Sequence, residues 1–200
     1  MTSWKFYDDN AERLFNDYVS LSFYDIFQDV AVFFSNSINT VLDVGSGSGR
    51  DAAALADMGF YVTAVEPSER MRTLASSRYK SEKISCVNDS LPLLREVLKN
   101  QQTFDLILIS AVWMHLSVQE RIESLKNLRT LLTPGGHIII TLRLGPEEPD
   151  RKIKIINTDE LLENASMFGL TVAYVSEIKD DSFNRAQIKW QKVVLTKPIM

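Results

Sequence analysis

At 200 residues the chain is long enough to bury one sizeable core, and 45% hydrophobic against 24% charged residues is the balance of an ordinary globular domain. A net charge of −4 and a pI near 5.3 argue against a surface that grips nucleic-acid backbone, and no apolar run reaches the length of a bilayer span. Cys86 is the only cysteine, which suits a reducing compartment, and Met1-Thr2-Ser3-Trp4-Lys5 lacks the apolar stretch of a signal peptide; the expectation is a soluble, cytoplasmic protein.

Residues 1–39 read as a helical cap. Ala11, Leu14, Phe15 and Tyr18 share one apolar face, and Ile26, Phe27, Val30, Phe33 and Phe34 share another, at spacings of three and four. From residue 40 onward, β-rich runs at 41–44, 61–65, 84–88, 104–110 and 137–142 alternate with helical stretches near 50–58, 68–79, 92–99 and 118–132. That alternation predicts a parallel sheet with crossover helices on both faces. Ser68 after Pro67, and Ser117 with Glu120 three residues on, are helix starts. Thr133-Pro134-Gly135-Gly136 ends a helix and turns the chain into the next strand. Cys86, within Ile84-Ser85-Cys86-Val87, reads as a small buried hydrophobe. The basic cluster Arg151-Lys152-Ile153-Lys154 reads as a solvated loop beside Gly145-Pro146-Glu147-Glu148-Pro149, with an anion site as the alternative. After a helix at about 158–168, the strand-like runs 170–177 and 188–196 have only a polar connector between them, so they must pair antiparallel. The expectation is a single domain over 1–200, an α/β core at 40–200 beneath the cap.

Ligands of an open parallel sheet bind beyond the carboxyl ends of its strands. The polar residues of this chain fall there. Val41-Leu42-Asp43-Val44 runs into a loop with Gly45, Gly47 and Gly49, where the missing side chains let backbone approach a ligand. Asp43 at its mouth would repel a pyrophosphate and attract an ammonium group. Glu66 ends the second strand, where a carboxylate accepts from both hydroxyls of a ribose. Asn88-Asp89-Ser90 follows the third strand, where a carboxylate can accept from an adenine amine, and Ser110 through His115 follow the fourth.

These stretches resemble the class I S-adenosylmethionine-dependent methyltransferases. Val41 through Gly49 is similar to the family's first motif, whose loop holds the methionine part of the cofactor. Glu66, followed by Pro67-Ser68, matches the ribose-holding acid, and Asp89 the adenine-contacting carboxylate. Phe104 through Ser110 and Leu131 through Gly136 look like the fourth-strand motif and the turn before the fifth strand. The resemblance implies a Rossmann-like, doubly wound sheet of seven mostly parallel strands, order 3-2-1-4-5-7-6, with an antiparallel C-terminal hairpin. It also implies S-adenosyl-L-methionine as cofactor, held by Asp43, Gly45, Ser46, Gly47, Gly49, Arg50, Glu66, Pro67, Asn88, Asp89, Ser90 and Ser110, with Tyr7 of the leader closing over it. A nicotinamide dehydrogenase fits less well, because its third glycine falls one residue later, where this chain has Arg50.

On the acceptor side His115 is the candidate general base, or else a residue that packs or caps at the start of the following helix. Trp113 either walls the site or packs against the N-terminal helices. Arg143 stands where an acceptor's anionic group would sit, or is a surface residue with its stem on the strand. Arg185 and Trp190 either face the same cleft or are a solvated loop residue and a core tryptophan, and Tyr18 can shield the cofactor or join the core. Arg50 can neutralise the cofactor's carboxylate or pair with Glu66. No Asn-Pro-Pro-Tyr-type tetrapeptide and no cysteine follow the fourth strand, which disfavours amino- and carbon-5-directed DNA methylation. The expected acceptor is a small molecule, with no nucleic acid, membrane or metal ligand set. A modified RNA nucleoside, a protein side chain, or a cofactor-binding scaffold without catalysis stand as alternatives.

Overall fold

The apolar run around Leu42 folds as β1 (Thr40–Val44) at the centre of the sheet. It pairs in parallel with β2 (Tyr61–Val65) on one side and β4 (Phe104–Ile109) on the other. Outside these lie β3 (Ile84–Val87) and β5 (Leu132–Leu144), also parallel. The chain is seen here in a computed structural model that describes residues 3–35 and 37–199. Crossovers are made by α4 (Arg50–Asp57), α5 (Glu69–Arg78), α6 (Arg95–Lys99) and α7 (Val118–Leu131); α8 (Thr158–Met167) precedes the last strands. Ser68 accepts from Met71 N at the start of α5, and Ser117 and Glu120 form a reciprocal capping box on α7.

The final strands, β6 (Thr171–Val175) and β8 (Lys189–Thr196), pair antiparallel, with β8 inserted between β5 and β6. The order is therefore 3-2-1-4-5-8-6, the expected arrangement with one added piece. That piece is β7 (Lys179–Asp180), which lies inside the polar connector. It exists because β6 reaches only to the partner of Val193, leaving the first residues of β8 free to take Lys179 and Asp180.

Strands buried on both faces explain the continuous apolar runs. Leu42, Ile107, Ile109, Ile138 and Ile140 face one cluster with α7 and α8, while Val41, Leu106, Leu108 and Ile139 face another with Phe23, Phe27 and Leu55. At the sheet edge the burial ends. Cys86 on β3 is exposed, 3.7 Å from Ser76 Oγ, which corrects the expectation of a buried hydrophobe: an edge strand has a neighbour on one side only. The helix expected at 92–99 starts only at Arg95, after Leu94 adopts a left-handed φ of 44°.

Ahead of the sheet, α1 (Ser3–Asp9) and α2 (Ala11–Val19) pack on α5, and α1 also meets the short 3-10 turn Pro149–Arg151. The second apolar face splits into α3 (Phe23–Phe27) and a 3-10 segment, Gln28–Phe33. Met1, Thr2, Asn36 and Met200 of the expected single domain lie outside the described residues. Among the described residues no helix is long and apolar enough to cross a membrane.

Candidate functional site

The loop after β1 turns sharply because Gly45 and Ser46 both donate their N–H to Val65 O, at 2.7 and 2.9 Å. Its glycines serve different ends. A Cβ on Gly45 would lie 2.3 Å from Val112 Cγ2, and one on Gly49 would lie 2.9 Å from Ala75 Cβ, so both permit close packing of neighbouring elements. At Gly47 a Cβ would meet only ordinary contacts, Gly45 O at 3.8 Å and Met71 Cε at 4.0 Å, so here it is the left-handed φ of +51° that favours glycine. Its N–H donates to Glu66 Oε2 at 2.9 Å, and Ser68 N donates to Glu66 Oε1 at 2.8 Å. Glu66 is 7% exposed; burial raises its pKa, partly opposed by those two backbone donors. Each oxygen keeps acceptor capacity for a further donor.

Asp43 is 1% exposed, and neither of its oxygens has a hydrogen-bond partner among the described residues. Burial, reinforced by the charge of Asp51 and partly offset by Arg50, pushes its pKa well up. An unpaired carboxyl in such a place requires an explanation. Asp43 lies behind the loop, and the charges around it are those of Asp51, Arg50 and Glu66. Arg50 is not its partner: the guanidinium holds Asp51 Oδ1 at 2.6 Å and Tyr18 O at 3.2 Å, and it does not pair with Glu66 either.

Beyond these strand ends lies a cavity of about 530 Å³, within the range of small-molecule sites. Of the residues singled out by sequence, it brings together Tyr7, Gly45, Ser46, Gly47, Arg50, Glu66, Pro67, Ser90, Ser110, His115, Arg143 and Arg185. Asp43, Gly49, Asn88, Asp89 and Trp113 are not on its wall. The carboxylate of Asp89 is turned to the start of α6, accepting from Ser90 N (2.8 Å), Glu96 N (2.7 Å) and Val97 N (3.2 Å). Free N–H groups of a helix start claim a nearby carboxylate, so this residue caps α6 rather than reaching toward an adenine. Asn88 accepts from Arg72 Nη1 at 3.1 Å. Trp113 is 2% exposed within the core of Ile109, Leu116 and Leu142, which corrects its assignment to the acceptor.

The acceptor end is roofed by the leader. Arg151 Nη2 donates to Tyr7 Oη at 3.3 Å, leaving the phenol to donate to His115 Nε2, 2.9 Å away. Burial first, then Arg151, lowers the pKa of His115 to about 4. The ring is thus neutral, and its Nε2 is already occupied. It ties α1 to the fourth-strand loop instead of standing free as a base, and Ser117, not His115, caps α7. Arg151 corrects the solvated-loop reading of its cluster: its side chain is 20% exposed and lies 5.8 Å from the Phe6 ring centroid. Nothing local could have found it, since Tyr7 is 144 positions away.

Arg143 is 2% exposed, so it is no surface residue; it donates to Pro146 O (2.9 Å) and to Glu148 Oε1. Arg185 holds Asp181 through Nε (2.8 Å) and Nη2 (2.7 Å), and Trp190 Nε1 adds a third donor at 2.8 Å. These contacts keep the Asp181 carboxyl far below the usual range despite its burial. Tyr18 also lines the cavity, with its pKa raised by burial, and stays a neutral phenol.

Residues 41–136 match the family of the methyltransferase domain. The match and the sheet order support the resemblance of this core to the class I S-adenosylmethionine-dependent methyltransferases. The chain is 32% identical to an uncharacterized methyltransferase of Alkaliphilus oremlandii (strain OhILAs) over 122 residues, 60% of this chain and 52% of that protein. It is 31% identical to a ubiquinone biosynthesis O-methyltransferase of Coxiella burnetii (strain Dugway 5J108-111) over 101 residues, 50% of this chain and 42% of that protein. The matched segments thus span about half the length of these two relatives. Among solved structures, the [4+2]-cyclase SpnF superposes with a TM-score of 0.73 at 16% identity, covering 100% of this chain and 98% of that one.

Proposed function

We propose that the protein transfers a methyl group from S-adenosylmethionine to a small-molecule acceptor. The observation that carries this is the pairing, at one strand-end mouth, of the glycine backbone at Gly47 with the partly satisfied carboxylate of Glu66, both on the cavity wall. In this reading Glu66 holds the ribose hydroxyls and Gly45 through Gly47 present backbone to the methionine part, with Asp43 acting on its ammonium from behind the loop, through its field rather than by contact. Ser90 and Leu91 line the adenine end in place of Asp89. The sulfonium supplies an already activated methyl group, so the chain's task is alignment and exclusion of water. Tyr7 and Tyr18, held over the cavity by α1 and α2, serve that exclusion. With His115 neutral and engaged by Tyr7, the geometry offers no free imidazole base. The acceptor in this reading is therefore a group that reacts without prior loss of a proton to His115.

A second reading has an observation of its own. SpnF shares the whole architecture and is a cyclase, so the fold alone does not dictate methyl transfer. Calorimetric titration with S-adenosylhomocysteine tests the cofactor, with saturable binding and a raised Tm expected. Transfer of labelled methyl from S-adenosylmethionine into a metabolite extract then separates the readings. Binding with no labelled product across broad extracts favours the non-methylating one.

A further inference from the structure

The end of the cavity formed by β5 and β8 is cationic and enclosed. Thr141 faces Lys192 and Arg143 faces Trp190 across the two strands, and all four line the cavity. Arg151 and Arg185 reach the same space from the 3-10 turn and the connector after β7. Three guanidiniums there share two carboxylates. Glu148 is held by both Arg143 and Arg151, and Asp181 is held by Arg185. Lys192, on the same wall, and Lys179 likewise share one carboxylate, that of Asp29, so cations outnumber the carboxylates that hold them. Arg143 Nε and Arg151 Nε are buried and have no hydrogen-bond partner among the described residues. Burial, with Arg185 and Arg151 nearby, lowers the pKa of Arg143, as expected of a crowded and desolvated cation. Around this charge the walls are aromatic, with Phe183 5.4 Å from the Arg185 guanidinium and Phe6 beside Arg151.

This cluster stands apart from the loop read as the cofactor's. In the sheet order, β5 lies two strands from β1 and three from β2. At ~4.8 Å per strand, β5, which carries Arg143, runs about 10 Å from β1 and about 14 Å from β2. We propose that it anchors the acceptor, and that the acceptor is an apolar or aromatic molecule bearing a carboxylate. A planar carboxylate matches both the excess of cations and the planar fork of guanidinium N–H donors. The inference rests on the methyltransferase reading given above.

The test is calorimetric titration of the full chain loaded with S-adenosylhomocysteine, using phenylacetate, indole-3-acetate and the primary amide of each. Each acid is expected to bind at least tenfold more tightly than its amide. Arg151→Gln and Arg185→Gln should each bring the acid down to the level of the amide, with S-adenosylhomocysteine affinity kept within twofold in Arg185→Gln, the variant that leaves the leader's contacts in place. Equal affinity for acid and amide in the wild-type protein overturns the anchor and leaves the cofactor reading standing. Acid preference that survives both substitutions overturns the arginine assignment. A tenfold loss of S-adenosylhomocysteine affinity in both variants gives the arginines to the cofactor's own carboxylate, and tighter binding of phenyl phosphate than of phenylacetate gives them to a phosphate. Either result overturns the proposal. If S-adenosylhomocysteine fails to bind the folded wild type, the methyltransferase reading falls and takes the anchor with it.

Discussion

Asp43 is the residue at which stability and binding pull in opposite directions. Its folded-state pKa is raised by burial, so folding favours the protonated form. Its contribution to stability is present below the ordinary carboxylate range and is lost as pH rises through the folded value. At neutral pH the ligand-free protein carries that cost. Asp43→Asn is therefore expected to raise the Tm of the ligand-free protein at pH 7.5, while weakening S-adenosylhomocysteine binding by about 1–3 kcal/mol. Paired thermal melts and titrations check it; an unchanged affinity would remove Asp43 from the site. His115 has the reverse sign. Its folded pKa, about 4, lies below the free value of 6.5, so its contribution is complete above pH 6.5 and is lost as pH falls toward 4. Melting curves between pH 7 and 4.5 should show a steeper acid decline in wild type than in His115→Phe.

At the scale of elements, Asp89 separates a cap from a ligand contact. Its carboxylate spans Ser90 and the first turn of α6, bonds that account for both oxygens. Asp89→Ala should cost about 1–2 kcal/mol of stability in urea melts and leave S-adenosylhomocysteine affinity within about threefold, an allowance of 0.6 kcal/mol or so. A tenfold affinity loss without loss of stability would restore the adenine contact. Asp89 also shows where sequence reading ends. The central parallel strands β1, β4 and β5 were legible because strands buried on both faces must be apolar without interruption, and the caps at Ser68 and Ser117 because their partners lie three residues away. The start of α6 was not, since Leu94 in a left-handed φ carries no compositional mark. A two-residue strand such as β7 depends on what β8 leaves unpaired. In the site, the strand-end residues Gly47 and Glu66 could be found by position, whereas Arg151 and Asp181 could not. Their roles arise from contacts between the leader, the 3-10 turn and the last hairpin.

For the whole molecule, the consequence is that the leader and the sheet form one enclosure held by a few polar ties. Ser68 Oγ donates to Asp8 Oδ1 at 2.5 Å, Tyr7 reaches His115, and Arg70 meets Glu12 at the exposed rim. The apolar contribution comes from Ala11, Leu14 and Phe15 against Met71. The last pair of ties differs in weight: an exposed ion pair such as Arg70–Glu12 adds little, while the two part-buried hydrogen bonds are each worth about 0.5–1.5 kcal/mol. Removing both in Tyr7→Phe combined with Asp8→Ala leaves the apolar contacts of α2 in place. The fold should therefore survive, while the closed state of α1 loses about 1–3 kcal/mol relative to the open one. If the leader closes over bound cofactor, dissociation of S-adenosylhomocysteine must wait on that opening, and its rate should rise roughly tenfold or more in the double variant. Hydrogen exchange read at α1 and α2 should show protection on ligand addition in wild type and less in the variant. An unchanged dissociation rate, with the exchange at α1 indifferent to ligand, would mean that the leader packs beside the cavity without gating it.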